Sequence, residues 1–127
     1  MVESLQLGLR IVLALVFIAM GILHFFPEPA RAMAGMIPPV MRGPRRPSPR
    51  ALVVFTGLCE IAGGIGLLIP ATRTAAGIAL VVFLVAVFPA NAYAAKYPER
   101  FGRVAIPFWP RLIAQVVLIM LIVLAVL

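Results

Sequence analysis

The sequence is poor in the residues that soluble catalytic domains use. Of its 127 residues only 12% are charged, four are acidic, one is a histidine and one is a cysteine. Soluble domains carry about 25% charged and about 45–50% apolar residues. Here 64% are hydrophobic, and the mean hydropathy is +1.14. A chain this short leaves much of its surface exposed however it folds, so this much apolar surface cannot all be hidden from water. The expected solvent is lipid, which excludes a soluble enzyme, a disordered tail and a nucleic-acid-binding module. Cys59 alone allows no intramolecular disulfide and no C-x-x-C pair, so thiol–disulfide exchange by this chain alone is excluded. No histidines stand at the i, i+4 spacing of helical zinc sites, so neither a metal site nor a catalytic set is visible. The expectation leans against an enzyme.

What is present is long apolar runs. They extend from about Leu9 to Phe26, Ala51 to Ile69, Thr74 to Ala95 and Leu112 to Leu127. Crossing a hydrocarbon core of about 30 Å takes roughly 20 residues at about 1.5 Å each. Four unbroken runs of this length lack the in–out alternation of barrel strands. The expected fold is therefore all-α: an integral membrane four-helix bundle, one transmembrane domain over residues 1–127, with a short interfacial helix after the first span. The first run is followed by His24-Phe25-Phe26-Pro27, too bulky for a cleavage site, so it reads as a retained helix rather than a signal peptide.

The connections carry the charge. Glu28 to Ile37 reads as the interfacial helix, with Met33, Met36 and Ile37 toward lipid and Glu28 and Arg31 toward water. Met41 to Arg50 is rich in Pro and Arg and reads as an extended loop. Pro70 to Arg73 is a tight turn. Lys96 to Arg111 brings Tyr97, Phe101, Phe108 and Trp109, an interfacial aromatic belt. Nine of the eleven basic residues fall in the first and third connections. Anionic headgroups are their expected counter-charge. The positive-inside rule places those two loops in the cytoplasm and both termini outside; Arg10, ahead of the first run, argues weakly the other way.

Few polar residues lie within the runs: His24, Thr56, Cys59, Glu60, Asn91 and Gln115. An acidic group at the centre of a span costs on the order of 2.5–3.5 kcal/mol facing lipid, so Glu60 is expected inside the bundle. Thr56, Gly57, Gly63 and Gly64 share its face and allow close helix approach. Two readings stand for Glu60: structural glue paired to backbone or to Asn91, or a ligand- or proton-handling group. His24 ends the first helix, and either bonds a backbone carbonyl or joins a site. Asn91 either satisfies the carbonyl freed by Pro89 or does likewise. By depth, His24, Glu60, Asn91 and Gln115 could converge on one cavity open toward the basic loops. Cys59 points about 100° from Glu60 and reads as packing.

Gly21-Ile22-Leu23-His24-Phe25, Glu60-Ile61-Ala62-Gly63-Gly64-Ile65-Gly66-Leu67 and Pro89-Ala90-Asn91 together carry a resemblance to the DoxX-like family of small bacterial membrane proteins. It covers most of the chain. The resemblance implies a four-helix membrane bundle in the bacterial inner membrane, with His24, Glu60 and Asn91 at motif positions. Some relatives are linked to membrane redox systems, including a subunit of a thiosulfate:quinone oxidoreductase and a partner in thiol-stress complexes. A distant animal relative is an assembly chaperone for nicotinic receptors. The bundle also looks like that of vitamin K epoxide reductase, whose cysteine pair is absent here. Three expectations follow. The first is a non-catalytic accessory subunit with a membrane redox partner. The second is an assembly chaperone. The third is a binder of a quinone or lipid through His24, Glu60, Asn91 and Gln115. Homo-oligomers are compatible with each.

Overall fold

The structure is a computed structural model and describes residues 2–41, 43–44, 48–96 and 108–127. The described chain is helical: α1 (Val2–Leu23), α2 (Pro27–Gly35), a 3-10 turn (Pro39–Met41), α3 (Pro49–Leu68), α4 (Arg73–Lys96) and α5 (Phe108–Val126). Each of the four apolar runs forms a helix, the first run reaching three residues past the end of α1 and the second and fourth one residue past α3 and α5. Three helices, Val2–Leu23, Pro49–Leu68 and Trp109–Val126, are long and apolar enough to cross a membrane, and Arg73–Pro89 is a shorter apolar stretch.

Local chemistry sets the boundaries. Ser48 is the N-cap of α3, its Oγ accepting from the Ala51 amide at 3.1 Å, and Pro49 follows with a ring that suits the first turn. α1 closes through tight-turn bonds, from the His24 amide to the Gly21 carbonyl and from the Phe25 amide to Ile22. Pro27 then opens α2. At the other end Thr72 Oγ1 donates to the carbonyls of Gly66 and Ile69, holding the turn into α4.

α1 starts seven residues before the apolar run at Leu9. The polar positions that interrupt the pattern there are satisfied by the end of α5. Gln6 Nε2 donates to the Leu124 carbonyl at 3.0 Å, and Arg10 Nη1 donates to the Ala125 carbonyl at 3.1 Å. Carbonyls in the last turn of a helix have no partner of their own, and the negative end of its dipole favours a cation. Arg10 is therefore buried inside the packing of α1 on α5 instead of lying ahead of a span.

The four long helices close a ring in which α1 and α4 each pack on both α3 and α5. Leu13 and Phe17 of α1, Leu67 of α3, Leu80 and Leu84 of α4, and Ile122 and Ala125 of α5 form the core. The closest seam joins α1 to α3. A Cβ on Gly21 would lie 2.7 Å from the Gly57 carbonyl oxygen, one on Gly57 2.7 Å from His24 Cβ, and one on Gly64 3.0 Å from the Ala14 carbonyl oxygen. Gly63 instead faces Leu80 of α4, so the glycines of α3 serve two neighbours. Outside the ring, each long helix presents large apolar side chains, among them Leu15, Phe55, Val82 and Ile113.

α2 packs against α3. This corrects the expectation that Ile37 faces lipid: it is buried at 7% exposure, and Met33 and Met36 are half-buried. Ten residues with two helix-ending prolines behind them fold back on the bundle, where α3 offers an apolar surface that needs covering. Glu28 and Arg31 are exposed, on the open side of α2. Parts of the Pro/Arg-rich loop, and Tyr97 and Phe101 of the aromatic belt, lie outside the described residues; Trp109 is exposed.

Candidate functional site

Where α1 ends, its last residues lie against the second and third turns of α3. The Gly21–Gly57 approach brings the two backbones close enough for one imidazole to reach three groups of α3. His24 Nδ1 lies 2.8 Å from the Val53 carbonyl oxygen and 3.1 Å from Thr56 Oγ1, and its Nε2 lies 3.2 Å from Glu60 Oε2. Thr56 Oγ1 in turn donates to the Val53 carbonyl at 2.9 Å. Val53, Thr56 and Glu60 stand at offsets of three and four, on one face of α3.

This arrangement fixes the tautomer. A carbonyl only accepts, so Nδ1 carries a hydrogen and donates to Val53, with Thr56 Oγ1 as a second acceptor. Nε2 then faces Glu60. A bare nitrogen lone pair against an ionised carboxylate would be repulsive, so one further proton lies between Nε2 and Oε2. The couple is imidazolium with carboxylate, or imidazole with carboxylic acid, and neutral overall in both forms. Oε2 is buried, within ion-pair distance of Nε2 but off the line of a straight hydrogen bond, and has no other partner among the described residues. The two side chains are 10% and 12% exposed. Removing one member of such a buried pair costs on the order of 3–5 kcal/mol, because the other charge is left uncompensated.

The imidazole also forms part of a cleft of about 290 Å³ between the end of α1, α2 and the start of α3. Its walls are His24, Phe25, Pro27, Ala30, Arg31, Ala34, Arg50 and Val54. Glu60 lies behind His24 and does not line the cleft. A molecule in the cleft would touch the imidazole, and the carboxylate would act through it.

Of the four expected site residues, the structure joins two, His24 and Glu60. Glu60 lies against His24, and His24 bonds the expected backbone carbonyl. Asn91 is on the helical backbone of α4, but its side chain lies outside the described residues. Gln115, on α5, makes no bond to the pair, and its Oε1 is buried without a hydrogen-bond partner. α5 packs on α1 and α4, away from the face of α3 that carries Glu60. Cys59 is free and half-buried. No group of three or more His, Cys, Asp or Glu able to hold a metal occurs among the described residues.

Sequence reasoning passed over two parts of this layout. Arg10 was counted only as a terminal charge, although Gln6 and Arg10 at i, i+4 mark one polar stripe on α1. Arg31 reads as the water face of the interfacial helix and Arg50 as a loop charge, and no pattern in the sequence brings them to one cleft.

Fold and site together define a helical protein with an apolar exterior and a buried, neutral His–Glu couple behind a cationic cleft. The chain belongs to the family described as a domain of unknown function, DUF8561, whose model matches residues 13–126. That span takes in the second half of α1, all of α3, α4 and α5, and every residue of the cleft. Neither the curated proteins nor the solved structures give a significant match to the chain.

Proposed function

We propose that this chain is a multi-pass protein of the bacterial inner membrane, similar to DoxX-like proteins, that holds the polar end of a small hydrophobic ligand in the cleft between α1, α2 and α3. The observation that carries the reading is His24. It is locked by the Val53 carbonyl, backed by Glu60, and still forms part of the cleft wall. A histidine serving only as glue needs no open side. The membrane assignment is supported by the three long apolar helices and by large apolar residues facing outward on all four helices of the ring. The excess of basic residues in the first and third connections supports a cytoplasmic side for the cleft and outside positions for the termini.

The ligand is a quinone or a lipid. Both imidazole nitrogens of His24 are held by α3, so the ligand's polar end meets the face and carbon edge of the ring, which Glu60 backs from behind. The test is mass spectrometry of small molecules that co-purify with the detergent-extracted protein, wild type beside His24→Leu and Glu60→Gln. One near-stoichiometric species, lost in His24→Leu and depleted in Glu60→Gln, is the expected result. Bulk lipid alone in all three samples overturns the reading in favour of an accessory subunit or assembly factor that acts through protein contacts.

A further inference from the structure

Among the described residues, the cleft is cationic without a counter-charge. Arg31, exposed on α2, and Arg50, exposed in the first turn of α3, both line it. Neither makes an ion pair among the described residues; Glu28, one turn before Arg31 on α2, is not within ion-pair distance of it. Among the described residues no carboxylate lines the cleft. The remaining walls are apolar: Phe25, Pro27, Ala30, Ala34 and Val54. Phe25 and its neighbour Phe26 are 46% and 52% exposed, so the mouth is flanked by open aromatic surface.

Size narrows the occupant. A volume of about 290 Å³ is at the small end of the roughly 300–1,000 Å³ range of ligand pockets. A headgroup fits and an acyl chain does not, so the tail must run outside over exposed apolar surface. Two arginines on separate helices suit an anion with several acceptor oxygens, because guanidinium groups bind phosphate as planar forks. Resting on the ligand-binding reading above, we propose that the cleft binds the phosphate of an anionic phospholipid. Arg31 and Arg50 hold the phosphate oxygens, the His24 ring closes the inner wall, and the chains lie beside Phe25 and Phe26.

The test is native mass spectrometry of the full-length protein in detergent, equilibrated with an equimolar mixture of phosphatidylglycerol and phosphatidylcholine. Because the chain carries a formal charge of +7, general attraction must be separated from the site. Arg31→Gln and Arg50→Gln each remove one positive charge at the cleft. Thr74→Glu changes net charge equally at the far end of the bundle, at an exposed first-turn position where an acid suits the helix dipole. All three positions are exposed, so these variants keep the core intact.

The expected result is one phosphatidylglycerol adduct in wild type and Thr74→Glu. Its preference over phosphatidylcholine falls by about tenfold in each arginine variant, the effect of losing one charge-assisted contact. It should persist in excess inorganic phosphate, which lacks the chains. An equal loss in Thr74→Glu overturns the proposal in favour of diffuse charge. Complete displacement by inorganic phosphate overturns the lipid in favour of a free anion. A neutral amphiphile retained in wild type and lost in His24→Leu, with no phosphatidylglycerol preference, overturns this proposal and leaves the ligand site standing. No retained adduct of any kind overturns both.

Discussion

The α1–α3 seam gives the sharpest quantitative prediction. In Gly57→Ala the new Cβ would lie 2.7 Å from His24 Cβ and 3.0 Å from the Gly21 carbonyl oxygen. Carbon atoms in good contact sit about 3.5–4.0 Å apart, so the helices must separate by roughly 1 Å. Neither obstacle is the end of a flexible side chain, so local rearrangement cannot absorb the overlap. Overpacking of this kind costs about 1–3 kcal/mol, partly offset by about 0.8–1.0 kcal/mol of helix propensity gained on replacing glycine. Gly8→Ala isolates the packing term. Gly8 is also inside α1, and a Cβ there meets nothing within 4 Å. The propensity gain cancels between the two variants, and their difference in stability is the overpacking cost alone. At about 3–6 °C per kcal/mol for a chain of this size, Gly57→Ala should melt roughly 3–18 °C below Gly8→Ala in the same detergent. It should also lose the cleft ligand, since separating the helices draws His24 from Val53 and Glu60. Thermal unfolding followed by circular dichroism reads the first effect, and mass spectrometry of the purified protein the second. Equal melting temperatures would refute the close seam and the imidazole geometry built on it.

Three further outcomes follow from the same packing. His24→Leu and Glu60→Leu should each destabilise by about 3–5 kcal/mol, while the double variant costs less than the sum by at least about 1 kcal/mol; additive melting shifts would mean that the pair does not interact. Arg10→Met removes the donor to the Ala125 carbonyl and should cost about 1–3 kcal/mol. Amide exchange should then speed up across the last turn of α5 more than in α3, and uniform acceleration would count against a local clamp. In a Cys59→Ala background, Ser4→Cys should react with an impermeant maleimide in intact cells and Pro44→Cys only after lysis; the reverse pattern would invert the proposed orientation.

The helices were legible because their signal is apolar length, and a run such as Ala51 to Ile69 needs no periodicity to be seen. Rotation was the hidden quantity. Helices apolar on nearly every side carry little moment, so the facing sides had to come from residues too small or too polar for lipid. Glu60 with Thr56 and Gly57 marked the inward face of α3 correctly, since a lipid-facing carboxylate is costly. Gly63 was grouped on that face too, yet it turns to Leu80 of α4: glycines at neighbouring positions cannot say which helix approaches which one. The same uncertainty separated Gln115 from the pair, because depth alone put it near Glu60 and only the ring order sends α5 past the other side of α1. Arginine misled for a different reason. Its charge is read by counting, which suits loop orientation, but its long side chain can satisfy distant backbone as Arg10 does, or edge a cleft as Arg31 and Arg50 do. The polar residues within the apolar runs thus identified the couple, while the ligand class rests on two charges that belong to loops in the sequence and to one cleft in the fold.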